Sequence, residues 1–168
     1  MKNEFTRTVL FGMVAGIIAT IVMDAFVAVA MILLGNPVTF MFSFIGDVAS
    51  TFFSQLNISI AGGVPLGFLI HYLLGLGLGG LFCVILSRTT RLKTDTIGKS
   101  ILLGIAYIEL FSQPFLVTAP LVLKMSGPDT LQWYALSTVM HAFYGTVLGV
   151  LEHYRTVILT GMPKRVPA

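Results

Sequence analysis

The chain has 168 residues, of which 56% are hydrophobic and only 10% charged, against about 25% charged in soluble globular domains. With a mean hydropathy of +0.93 it reads as a membrane protein. Its net charge of +3 does not point to nucleic acid, because the basic residues are spread over short segments between apolar blocks and at the ends. The single cysteine, Cys83, lies inside such a block, which excludes an intramolecular disulfide and a cysteine-based metal cluster.

A hydrocarbon core about 30 Å thick takes about 20 residues of helix to cross, and four apolar blocks are long enough. The first, about 9–34, carries small or polar residues at every fourth position: Thr8, Gly12, Gly16, Thr20, Asp24 and Ala28. It follows a short basic start, as a signal peptide would. It is longer than an h-region of about 7–15 residues, contains Asp24 and lacks a convincing A-x-A site, so an uncleaved first span is expected.

The segment that follows is rich in phenylalanine. Residues about 39–56, with Phe40, Phe42, Phe44, Phe52 and Phe53 around Asp47, suit an amphipathic or re-entrant helix at the outer interface, either an anchor for the bundle or a cap over a site. Asn57-Ile58-Ser59 matches a glycosylation sequon, a short pattern that arises often by chance.

The second block, about 65–86, holds the ladder Gly67, His71, Gly75, Gly79, Cys83, and the polar loop SRTTRLKTDTIGK comes next. The third, about 101–123, has a weaker ladder, Ser100, Gly104, Ser112. Pro114 and Pro120 predict that its helix kinks or ends in that half. The fourth, about 131–151, repeats the second: Ser137, His141, Gly145, Gly149, His153. Trp133 and Tyr134 at its start suit an aromatic belt. Placing both ends of the chain and the loop before Ile101 on one side leaves only Lys124 of the ten basic residues on the other. The excess of positive charge then predicts a plasma-membrane protein with both termini cytoplasmic.

Small residues every four positions let helices approach closely in lipid. Gly12, Gly16, Gly75, Gly79, Gly104, Gly145 and Gly149 are therefore predicted contact faces, and the ionisable residues on those ladders point inward with them. At about 1.5 Å per residue, Asp24 lies about 25 Å from Arg7, His71 about 25 Å from Arg88 and His141 about 21 Å from Arg155. They fall in one layer, with Gln113 at a similar depth, Glu109 about one turn lower and Tyr144 as a further polar neighbour. HYLLGLGLGG and HAFYGTVLGV share His, Gly, Leu and Gly at matching places, which suggests two related helix pairs, spans 1–2 and 3–4. The expected fold is an all-α, four-span membrane bundle in a single domain.

The pattern AGxxATxxMD from Ala15 to Asp24, H-x3-G-x3-G in the second span and H-x2-YG-x2-LG in the last resembles a group of small four-span membrane proteins of archaea and bacteria known as a domain of unknown function. More distantly it is similar to the bacterial YagU-type inner-membrane proteins. The resemblance covers most of the chain and implies the fold and topology. It implies no activity, cofactor or catalytic residue.

Three functions fit these residues. In the first, His71, His141 and Asp24 are hydrogen-bonding glue in a non-catalytic accessory or scaffold subunit, partnered by a larger membrane complex or by further copies of the chain. In the second, the histidines with Asp24 hold a transition metal, or the two histidines hold a haem with Gly75 and Gly145 leaving room. In the third, Asp24 and the histidines move a proton or ion, with Glu109 extending the path. An enzyme of soluble type is not expected, since no Walker loop, nucleophile elbow or dinucleotide fingerprint is present. GLGLGG lies mid-span, where the helix must keep its own backbone bonds.

Overall fold

The computed structural model describes residues 2–89, 92 and 95–160 and places them in five helices: α1 (Lys2–Leu33), α2 (Phe40–Gln55), α3 (Val64–Arg88), α4 (Ile97–Leu123) and α5 (Gly127–Thr160). Four of them, all but α2, are long and apolar enough to cross a membrane. Among the basic residues expected to set the orientation, Arg91, Lys93, Lys164 and Arg165 lie outside the described residues.

Local sequence explains where the helices stop. Gly35 adopts φ 72°, and the N–H groups of Gly35 and Asn36 donate to Ile32 O and Met31 O at 3.0 and 2.9 Å. This paired closure needs a left-handed residue at its centre, and Pro37 then bars a further turn. Asn57, at φ 60°, closes α2 in the same way, with its own N–H on Ser54 O and that of Ile58 on Phe53 O. The first residue of the sequon is thus the residue that ends α2. Thr96 caps α4 by accepting from the Lys99 N–H at 3.3 Å. Ser126 accepts from the Asp129 N–H ahead of α5.

Helix α4 runs unbroken through Pro114 and Pro120 to Leu123, so neither proline ends it. Pro120 lacks the N–H that would bond Leu116 O four residues back. The indole of Trp133 on α5 donates to that carbonyl at 3.2 Å. Trp133 is accordingly only 8% exposed, which corrects the aromatic-belt expectation for this residue: its N–H serves the interior because a proline left an acceptor there without a donor.

The helices associate as two antiparallel pairs, α1 with α3 and α4 with α5, joined mainly through α1 and α5, while α2 lies on α3. Each pair closes on glycine. A Cβ on Gly12 would come within 2.5 Å of Gly79 O, and one on Gly16 would meet Gly75 O; in the other pair, Gly104 faces Gly145, and a Cβ on Gly149 would lie 2.7 Å from Ile101 Cα beside Ser100. The ladders are contact seams because any side chain would strike backbone. The first seam joins spans 1 and 2 and the second joins spans 3 and 4; the two histidine-bearing ladders do not pack on each other.

The four long helices keep apolar side chains on their outer faces, as helices able to cross a membrane would: Leu102, Leu110, Leu121 and Leu131 are each about two-thirds exposed or more. Polar ties lock the pairs together from within. Tyr144 Oη donates to Gly75 O and Tyr107 Oη to Leu78 O, both at 2.8 Å. Cys83 Sγ donates to Glu152 Oε2 at 3.1 Å. Arg155 bonds Glu152 at 3.2 Å and Thr8 Oγ1 at 3.1 Å.

Candidate functional site

Above the seams, towards α2, the helices part. The matching rungs place the side chains. Asp24 stands eight residues beyond Gly16, and Ser112 eight beyond Gly104; His71 and His141 stand four before the glycines that those two face. Each histidine therefore meets the polar rung of its own partner helix. His71 Nε2 lies 2.8 Å from Asp24 Oδ1. His141 Nδ1 lies 3.1 Å from Ser112 Oγ and 3.7 Å from Glu109 Oε2.

Asp24, His71 and His141 thus do lie around one space, but as two separate pairs. Glu109, expected a turn below the layer, reaches up to the same imidazole that Ser112 bonds. Ser112 was legible only as a rung of the weak third ladder; its alignment with Asp24 was the available signal. Gln113 does not join the group. It is exposed, and its Nε2 donates to Glu109 O on its own helix at 2.9 Å, because one residue beyond Ser112 turns it about 100° around the helix. Tyr144 lines the space while donating to Gly75 O. Asp24 Oδ2 and Glu109 Oε1 are buried without a hydrogen-bond partner among the described residues.

The space is a cavity of about 620 Å³ to which all five helices contribute, within the roughly 300–1,000 Å³ usual for ligand sites. Its walls are almost wholly apolar apart from Asp24, His71, Ser112, His141 and a few hydroxyls, and no lysine or arginine lines it. Helix α2 covers it with Met41, Ile45, Val48, Ala49, Phe52 and Phe53. That cover is tied down: Gly63 N–H, at the head of α3, donates to Asp47 Oδ1 at 2.9 Å. Gly46 and Gly67 let the two helices touch at Gly63 O and Phe42 O, and the Phe42 ring meets His71 edge-on at 5.7 Å.

Few contacts join α3 to α4. The exposed lining residues are Leu74 on α3, Phe111 and Pro114 on α4 and Phe52 on α2, so the cavity opens between α3 and α4 beside the edge of α2. A shallower apolar groove of about 230 Å³ continues down the same seam from Phe111, past Tyr107 to Phe82 and Leu86.

Among the described residues no group of three or more His, Cys, Asp or Glu side chains is gathered as a metal ion would need. The two histidines each turn one ring nitrogen to an acid or hydroxyl of their own pair. No protein-family model, curated protein or solved structure matches the chain, so the expected likeness to YagU-type proteins gains no support there.

Proposed function

We propose that the protein is an intramembrane binding protein for an uncharged, lipid-soluble molecule, held with its polar end at the histidine layer and its apolar body under α2. The observation that carries this reading is the cavity itself: about 620 Å³ of apolar space with one small cluster of polar groups. Interiors are normally filled to near-crystalline density, and helix glue alone would need no such volume. In the proposed setting, a plasma membrane with both termini in the cytoplasm, the cavity lies in the outer half of the bilayer. Its opening between α3 and α4 then faces lipid, the phase in which such a molecule is dissolved.

The same volume argues against a pure scaffold, although further protein partners on the lipid-facing surfaces are compatible with binding. A metal role would need Asp24 and both histidines drawn to one point, and among the described residues no such group of three is gathered. Proton transfer gains little below the layer, where Tyr144 and Tyr107 direct their hydroxyl protons at α3 carbonyls.

Native mass spectrometry of the full chain, extracted from its own membranes in mild detergent, tests the proposal. A bound small molecule of defined mass is expected, and it should be lost from Ala49→Phe, which fills the cavity from its roof. A chain that carries nothing, and takes up nothing when titrated with total lipid extract, would overturn it.

A further inference from the structure

The two pairs constrain what the polar end of that molecule can be, and this deduction rests on the binding role proposed above. With Asp24 ionised and the imidazole neutral, Asp24 Oδ1 accepts from His71 Nε2–H at 2.8 Å, and a lone pair is left on Nδ1. Ser112 Oγ donates to Glu109 O at 3.2 Å, so towards His141 it accepts from Nδ1–H at 3.1 Å, which leaves a lone pair on Nε2. These tautomers are assigned from the hydrogen-bond partners, with both imidazoles neutral and the Ser112 proton given to Glu109 O. Neither remaining ring nitrogen has a hydrogen-bond partner among the described residues. The cavity is thus lined by two acceptors arriving from equivalent rungs of two related helix pairs.

An anionic head, whether phosphate or fatty carboxylate, would meet no lysine or arginine here and would lie against Asp24. A head with two hydroxyl donors fits. Two chemistries supply one on a hydrocarbon tail: a quinol and a monoacylglycerol. The surroundings favour the flat one, since Phe111, Phe115, Met41 and Met140 line the space and offer ring faces and polarisable sulfur to an aromatic ring. The groove along α3 and α4 from Phe111 gives an isoprenoid tail a path. From this we infer that the site binds a lipid-soluble quinol, one hydroxyl to His71 and the other to His141. The inference concerns binding and includes no electron transfer.

The test uses the wild-type full chain, so that it does not depend on any variant folding. Titration calorimetry in mild detergent, under argon, would compare a short-tailed benzoquinol, its quinone and its dimethyl ether, with protein-free micelles as blank. The quinol is expected to bind at one per chain. The quinone and the dimethyl ether, neither of which can donate, should each bind about a hundredfold more weakly, each of the two lost donors being worth about tenfold. His71→Ala and His141→Ala should each weaken quinol binding by about tenfold. A quinone that binds as tightly as the quinol would overturn the assignment. So would a monoacylglycerol that binds where the quinol does not, although the binding role would then stand. A chain that binds none of these and carries no native ligand would overturn both.

Discussion

Helices α1 and α3 meet rung for rung as α4 and α5 do, yet the polar end of each seam is built differently. In the first pair a carboxylate stands on the rung itself and bonds His71 directly at 2.8 Å. In the second a serine takes that rung, and the carboxylate comes from Glu109, three residues earlier, stopping 3.7 Å from His141. Glycine rungs have nowhere to vary, because backbone lies on backbone. The rung beside a cavity has room, so the same fold tolerates two arrangements. The first ties its histidine to a carboxyl group at 2.8 Å and the second to a hydroxyl at 3.1 Å, and hydrogen bonds to a carboxylate are the stronger.

The largest expected effect would break what the pairs share. Gly16→Leu and Gly104→Leu should each cost about 3 kcal/mol or more, since the obstacle is backbone that cannot swing away. Unfolding titrations in mixed micelles would measure it, and a loss below about 1 kcal/mol in either would show that its seam is not closed on glycine. Next comes the contrast between the pairs. Asp24→Ala should cost about 2 kcal/mol and Ser112→Ala about 1 kcal/mol; equal losses in the same titration would erase the distinction.

A smaller effect sharpens the role of the second pair. Trp133→Phe should cost about 1 kcal/mol by removing the donor to Leu116 O. In the Pro120→Ala background, where residue 120 supplies its own N–H, that cost should shrink by at least half; a double-mutant cycle without coupling would dissociate the tryptophan from the proline. Least of all, Gln113→Ala should change stability by less than about 0.5 kcal/mol and leave ligand titrations unaltered, since Gln113 faces away from the cavity. A measurable loss of ligand affinity would put it back in the layer.

Much of this arrangement could be read from residues alone. A run of apolar side chains about 20 residues long has one way to satisfy its backbone in lipid, so four long helices followed from hydropathy. Strict four-residue spacing of glycine fixed which face of each helix would touch another. The segment around Phe40 to Gln55 was readable as an amphipathic helix, but whether it anchored the bundle or covered a site was not. That depended on Gly46 and Gly67 meeting backbone across two helices and on Asp47 reaching the head of α3.

Depth along a helix was legible too, and it placed Asp24, His71 and His141 in one layer. Azimuth was harder. Gln113 shares their depth and turns away; Glu109 lies a turn below and bends up; Trp133 resembles an interfacial anchor and points inward to a carbonyl that Pro120 had stripped of its donor.

What the sequence determined by itself was therefore the class, the spans and the contact seams, because these depend on periodicity and on the solvent each helix meets. The tertiary structure alone decided which seams paired, that the histidines would be partnered separately, and that their layer would border a cavity roofed by α2. Those outcomes turn on where helices diverge above their last glycine contact, a property of two backbones together and of neither sequence segment alone.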